Sequence, residues 1–159
     1  MNKTTQLKKL LLQRKALPCP GVYDALSARM VEYCGFQACQ ISGFGVSASS
    51  LGMTDASFTS LEEIVRITSN IVRAVDIPVM TDADTGYGNA VNVWWTTKRL
   101  EETGAAGMNL EDQCFPKRCG HMAGKQLISL GEMVGKIRAA VDAKRDPDFV
   151  INARTDAAY

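Results

Sequence analysis

Ile77-Pro78-Val79-Met80-Thr81-Asp82-Ala83-Asp84-Thr85-Gly86-Tyr87-Gly88-Asn89 reads as a short apolar strand opening into an acidic, glycine-rich loop. The strand is Ile77 to Met80, too short for a helix and followed at once by turn residues. Asp82 and Asp84 stand two residues apart, so strand alternation points them the same way if extended geometry continues. The glycines let the backbone turn tightly and leave room for a ligand. Asn89 then opens a helix that runs to Thr103 and is closed by Gly104. The next strand, Gly107 to Leu110, again ends in carboxylates, Glu111-Asp112-Gln113.

The same alternation extends in both directions. Upstream, Leu17 to Val22 is a short apolar run containing two prolines. Asp24 caps a helix whose inward face is expected to carry Leu26, Met30, Val31 and Cys34, ended by Gly35. Ala38 to Ser42 is a strand, and Gly43 to Thr59 reads as a Gly- and Ser-rich loop. Ser60 and Glu63 form a capping box for a helix with Leu61, Ile64, Val65, Thr68, Ile71, Val72 and Val75 on one face. Downstream of the Glu111 loop, Ser129 and Glu132 cap a helix with Met133, Ile137, Ala140 and Val141 inward. Phe149 to Ala153 is the fifth strand. One of Trp94 and Trp95 is expected in the core, and Lys8, Lys9, Arg14 and Lys15 are expected on a solvated face.

Strand–helix alternation predicts a parallel sheet with crossover helices. An open doubly wound sheet concentrates chemistry at a switch point, whereas a (β/α)8 barrel brings every strand end to one face. Polar groups follow four of the five strands, at Ser42-Gly43, Asp82/Asp84, Glu111/Asp112 and Arg154, so the α/β fold expected is a (β/α)8 TIM-barrel type. The 159 residues supply five strands of a barrel that takes ~250 residues. Residues 1–159 are therefore expected to form the N-terminal part of one barrel domain. Two raw sheet edges would result, and a stable monomer is not expected.

A net charge of +1 gives no electrostatic reason for a nucleic-acid or acidic-membrane partner. No run reaches the ~20 apolar residues of a membrane span, and Met1 to Lys9 lacks the apolar core of a secretory signal. The five cysteines are odd in number with no framework spacing, which predicts free thiols and a cytoplasmic location.

The acidic loop suits Mg2+, a hard cation that takes one or two carboxylates and keeps several waters; the alternative is an acidic turn with an Asx cap on the following helix. Glu111, at the next strand end, can reach the same point. Pro116-Lys117-Arg118-Cys119-Gly120-His121 places a thiol after two cations and before the chain's only histidine. Three readings stand there: a basic surface loop, structural zinc through Cys114, Cys119 and His121, or a catalytic Cys119 and His121 on a mobile loop. Gly43-Phe44-Gly45-Val46-Ser47-Ala48 matches a relaxed dinucleotide fingerprint, but its helix is expected only near Ser60. Ser42-Gly43 is better suited to offering backbone N–H groups to a substrate carboxylate. Arg154 in Asn152-Ala153-Arg154-Thr155-Asp156 either grips a carboxylate or pairs with a nearby acid.

In order and content these motifs, together with Leu51-Gly52-Met53-Thr54-Asp55, resemble the isocitrate lyase/phosphoenolpyruvate mutase superfamily across nearly the whole chain. The Lys117-Arg118-Cys119-Gly120-His121 run resembles the lyase branch, in particular 2-methylisocitrate and 2,3-dimethylmalate lyases. That resemblance implies Mg2+ held by Asp82, Asp84 and Glu111, directly or through water, with Asp55 helping. It implies Ser42, Gly43, Phe44 and Arg154 on a small carboxylate substrate, and Cys119 as acid/base on a closing loop. The implied reaction cleaves a 2-hydroxy di- or tricarboxylate to pyruvate and a second carboxylate; oxaloacetate hydrolysis or decarboxylation on the same site, or an inactive fragment, is the alternative. The resemblance further implies a homotetramer for the complete protein. Phe44 stands where the lyases often carry a Gly-rich segment, and its ring is expected to favour a smaller substrate such as 2,3-dimethylmalate.

Overall fold

The computed structural model describes residues 1–13 and 15–158. The elements follow as α1 (Lys3–Leu12), β1 (Gly21–Val22), α2 (Ala25–Tyr33), β2 (Cys39–Ile41), α3 (Gly43–Leu51), α4 (Leu61–Ala74), β3 (Val79–Asp82), α5 (Ala90–Glu102), β4 (Gly107–Glu111), α6 (Leu130–Ala143) and β5 (Val150–Arg154). All neighbouring strands pair in parallel, and the sheet order is β1-β2-β3-β4-β5. No reversal of strand order occurs, so there is no switch point of the doubly wound kind. Consecutive order is the barrel arrangement, and these strands form a five-stranded arc of it.

The two faces of each strand have different duties. Cys39, Ile41, Val79, Met108 and Leu110 pack outward against Ile64 and Ile71 of α4, Val93 and Leu100 of α5, and Met133 and Ala140 of α6. A buried hydroxyl pair, Thr68 with Thr81 at 2.9 Å, crosses the same α4–β3 layer. The opposite face carries Met80 at one end and Asp82 at the other. Met80 joins Leu7, Ala38 and Ala106 in a second apolar cluster, through which α1 docks beneath the sheet.

Helix α1 is absent from the sequence-based assignment. Its buried residues are Thr4, Leu7 and Leu10, and side-chain bonds hold it: Thr4 donates to Asp146 at 2.7 Å, Thr5 to Asp148 at 2.7 Å, and Lys3 to the Val72 and Val75 carbonyls at the end of α4. Lys8 is tied to Asp148 at 2.7 Å; Arg14 lies outside the described residues.

Other expectations are corrected. The Gly- and Ser-rich stretch after β2 is not all loop, because α3 begins at Gly43, capped by the Ser42 hydroxyl accepting the Gly45 N–H. Gly and Ser are weak helix formers, so this cap and the burial of Val46 and Ser47 supply what propensity does not. Strand β1 is only two residues long, since Pro18 and Pro20 lack the N–H that a sheet ladder uses. On α2 the face is rotated: Ala28 is fully buried, while Leu26, Met30 and Cys34 are exposed. The small Ala28 side chain, not the large ones, meets the core. On α6, Val141 is half-exposed and Lys136 is buried in its place. Neither tryptophan is core; Trp94 lies under Lys98 at 3.9 Å and Trp95 under Arg99 at 5.6 Å. Among the described residues no helix is long and apolar enough to cross a membrane.

The N-terminal signals of α4 are present as read: Ser60 and Glu63 form a reciprocal capping box. Ile71 is fully buried. Ile71→Ala is expected to lower the unfolding free energy by about 2–5 kcal/mol, and Ser60→Ala by about 1 kcal/mol. Urea titrations of both variants check this; an Ile71→Ala cost no larger than that of Ser60→Ala would contradict the packing described for α4.

Candidate active site

The carboxyl ends of β2, β3, β4 and β5 bring the polar residues together. Asp82 is in register with Asn109, Asn109 with Asn152, and Glu111 with Arg154. Because Thr81 bonds outward to Thr68, alternation sends Asp82 to the inner face. The Asp82 carboxylate accepts the Gly43 N–H at 3.1 Å with one oxygen and the Asp84 N–H at 3.2 Å with the other. The start of α3 and the turn after β3 are thereby locked to one side chain. Gly43 is required by this approach: a Cβ there would sit 2.7 Å from Asp82 Oδ2 and 3.4 Å from Asp84 Oδ1.

Asp84 takes the left-handed conformation, φ +47°, which aspartate tolerates better than most residues. It is buried, and its Oδ1 lies 2.8 Å from the Lys117 ammonium. That contact is an ion pair without hydrogen-bond alignment, so Asp84 Oδ1 is a buried oxygen that receives no hydrogen bond. Burial, then the neighbouring Asp82 charge, push the Asp84 carboxyl up to about 7. Asp55, from the loop between α3 and α4, accepts a hydrogen bond from the same ammonium at 2.8 Å. Glu111 is 2% exposed, and burial pushes its carboxyl up to about 7 against the pull of Lys117 and Arg154. It meets Arg154 at 3.1 Å.

Lys117 is the centre of this charge cluster. Burial alone disfavours its ammonium, but the carboxylates of Asp84 and Asp82 outweigh that and hold it charged well above the ordinary lysine range. Arg154, also opposed by burial, is kept charged by Glu111 and Asp156. Among the described residues, Asp55 and Asp84 thus contact Lys117, and Glu111 and Asp156 contact Arg154, with Asp82 beside them on the Gly43 and Asp84 N–H groups. The surplus of carboxylates over cations fits a divalent cation. Among the described residues no three His, Cys, Asp or Glu side chains converge tightly enough to form a cage by themselves. A Mg2+ ion held here would take one or two of the carboxylates and complete its shell with water or substrate.

A cavity of about 310 Å3 opens beside the cluster. Ser42, Gly43 and Phe44 form one wall; Asp55, Asp82 and Lys117 form another; Cys119, His121 and Arg154 close it. Asp84 and Glu111 lie behind these walls. Cys119 Sγ is 3.7 Å from His121 Nδ1. Phe44 is 55% exposed, so its ring stands at the mouth and does not fill the floor. Cys114 lines a different depression, with Phe115 and Arg118, so it does not join Cys119 and His121 around a zinc ion. The dinucleotide reading fails for a new reason. The helix does start inside the Gly43–Ala48 motif, but its first N–H is already taken by the Asp82 carboxylate, so the full row of free N–H groups that cradles a pyrophosphate is not available.

Of the two readings of Arg154, the structure shows the ion pair. It also reveals residues not singled out in the sequence. Lys117 was one of two cations before a thiol, and nothing in the sequence distinguished it, buried, from Arg118, exposed. Gln113 and Asp156 stood inside the Glu111-Asp112-Gln113 and Asn152–Asp156 motifs without a role assigned to them, and Cys19 and Gln40, which line the cavity, carried no motif.

The phosphoenolpyruvate phosphomutase family model matches residues 7–159, and the chain belongs to this family, within the phosphoenolpyruvate mutase/isocitrate lyase superfamily. It is 47% identical over 157 residues to 2,3-dimethylmalate lyase of Eubacterium barkeri, covering 99% of this chain and 54% of that protein. It is 47% identical over 151 residues to 2-methylisocitrate lyase of Aeropyrum pernix, covering 95% and 48%. Among solved structures it matches a 2,3-dimethylmalate lyase described as a superfamily member, with TM-score 0.91, 38% identity and coverage of 99% and 54%. It also matches phosphonopyruvate hydrolase in complex with oxalate and Mg2+, with TM-score 0.90, 35% identity and coverage of 99% and 53%. The chain spans about half the length of the relatives it matches.

Two expectations follow from the charge cluster. Lys117→Met leaves Asp55 and Asp84 buried without their cation and is expected to destabilise the chain by about 3–5 kcal/mol, read by chemical denaturation; a loss below about 1 kcal/mol would show the pair to be dispensable. Gly43→Ala pushes the Asp82 carboxylate aside and is expected to weaken Mg2+ binding at least about tenfold, roughly 1.4 kcal/mol, in calorimetric titrations. Unchanged affinity would separate Asp82 from the cation.

Proposed function

We propose that this chain forms the metal- and substrate-binding face of a Mg2+-dependent carbon–carbon lyase. Its reaction cleaves a 2-hydroxy di- or tricarboxylate of the 2-methylisocitrate or 2,3-dimethylmalate type to pyruvate and a second carboxylate. The observation that carries this reading is the convergence of Asp82, Lys117, Arg154 and Cys119 on one cavity.

Asp82 faces the cavity and is the first carboxylate a cation meets. Asp84 and Glu111, behind it, would help hold the ion directly or through water, and Asp55 holds Lys117 in place. When bound, Mg2+ would supply positive charge that stabilises the substrate's C2 oxygen as its proton passes to solvent water. Arg154 and the N-terminus of α3 bind carboxylate groups of the substrate. The Ser42 hydroxyl, accepting the Gly45 N–H, fixes that helix end.

Cleavage then breaks the C2–C3 bond. Its electron pair goes to C3, next to the second carboxylate, as C2 becomes a carbonyl. Lys117 and Arg154 offset the negative charge that accumulates there. Cys119 delivers the proton from Sγ to C3, and the thiolate that remains is reprotonated from water. His121 Nδ1 lies 3.7 Å from that sulfur. The exposed ring of Phe44 narrows the entrance and favours 2,3-dimethylmalate over the bulkier tricarboxylate.

Pyruvate release from 2,3-dimethylmalate, 2-methylisocitrate and oxaloacetate, each with and without EDTA, tests this. Pyruvate is expected from a lyase substrate, abolished by EDTA. Cys119→Ser is expected to reduce kcat by about 10²–10⁴-fold, the usual contribution of a positioned acid, with KM little changed. EDTA-insensitive turnover would remove the metal, and full activity in Cys119→Ser would remove the thiol.

A further inference from the structure

Gln113 is 1% exposed and has no part in the chemistry just described, yet its side chain is the best-connected amide near the cavity. Its Oε1 accepts the Arg118 N–H at 3.0 Å. Its Nε2 faces three acceptors: the Arg118 carbonyl at 3.0 Å, Glu111 Oε1 at 3.0 Å and Asp156 Oδ2 at 2.9 Å. An amide nitrogen has two hydrogens, so three acceptors share two donors. Two of those acceptors are carboxylate oxygens, which fixes the orientation of the group. The nitrogen has to face the charges, and the oxygen is left for the Arg118 N–H.

Arg118 lies between Lys117 and Cys119. Its N–H belongs to the peptide plane that precedes it, and its carbonyl to the plane that carries the nitrogen of Cys119. One side chain therefore fixes both planes through which the loop enters Cys119. On the upstream side the loop is held by Lys117, whose N–H donates to Ser57 Oγ at 3.0 Å and whose ammonium is buried. On the downstream side the Gly120 carbonyl accepts from Lys125 at 2.7 Å. Gly120 lies so close to the Arg154 guanidinium that a Cβ there would run into it. The Cys119 carbonyl accepts the Met122 N–H at 2.8 Å, and its sulfur lies 3.7 Å from His121 Nδ1.

We propose that Gln113 is a positioning residue that clamps the Arg118 backbone so that Cys119 is presented to the cavity, and that it ties this loop to Glu111 at the end of β4. The inference rests on the reading of Cys119 as proton donor for its catalytic consequence, but the clamp itself is measurable without turnover. Losing it frees the segment after Lys117 to open locally while the sheet and helices stay folded.

The test is iodoacetamide labelling of the full chain, quantified cysteine by cysteine through peptide mass, for wild type and Gln113→Met. Labelling of Cys119 is expected to rise at least about tenfold, the shift produced by losing roughly one to two hydrogen bonds. The exposed Cys34 and the buried Cys39 serve as references and keep their rates. In the pyruvate assay the same variant is expected to lose kcat with KM within about twofold of wild type, the pattern of a misplaced acid. An unchanged Cys119 rate in a folded Gln113→Met chain overturns the proposal. Should Cys39 label rapidly, showing that the variant unfolds, amide exchange in the wild type decides instead. The Arg118 N–H is then expected to be protected at least about tenfold over that of Cys119, and equal exchange overturns the clamp. A shifted Cys119 rate with no pyruvate from any substrate removes the lyase reading and leaves the clamp standing.

Discussion

Charge burial is the constraint on which the rest depends. Asp84 and Glu111 are buried far enough that both carboxyls are pushed up to about 7, and with Asp55 and Asp82 they outnumber the cations that touch them. A carboxyl group whose folded pKa lies above its unfolded value prefers to be neutral in the folded state. Its charged form therefore costs stability as pH rises between those two values. A fold does not need such an arrangement for packing; apolar residues would fill the same volume at less cost. It is explained if the negative charge has a task, and the task proposed is holding a divalent cation beside an anionic substrate.

The architecture follows from the same requirement. Four acids and two cations from distant points in sequence can be concentrated only where several chain segments end together. A parallel sheet in consecutive order does this, because every strand points the same way and each crossover helix returns the chain to the opposite end. The outer face of the arc is left to apolar packing against α4, α5 and α6. Helix α1 covers the end beneath Met80, away from the chemistry. Packing and reactivity are thus separated along the axis of each strand, and Gln113 joins them where β4 runs into the cysteine-bearing loop.

Much of this was legible in the sequence, because periodicity and capping are local. Ser60 and Glu63, Asn89, Ser129 and the apolar face of α4 announce their helices by spacing alone. The acids at 82, 84 and 111 stand at strand ends and so declare the active face. What was not legible is what depends on partners far along the chain. Helix α1 is held by Asp146 and Asp148, about 140 residues away, and nothing within residues 1–12 advertises them. Helix α3 is hidden in a Gly- and Ser-rich run because its support is the Ser42 cap and Asp82. The buried face of α2 is set by Ala28, a residue too small to dominate a hydrophobic pattern. Lys117 and Arg118 are adjacent and chemically alike, and only the fold decides which of them enters the carboxylate cluster.

The most direct measurement of the central claim is an anomalous difference map from crystals soaked in Mn2+, which substitutes for Mg2+ at oxygen-rich sites. A single peak beside the Asp82 carboxylate, between the end of β3 and the cavity and within water-bridged reach of Glu111, is the predicted result. Manganese bound elsewhere on the molecule, with that position vacant, would contradict the account.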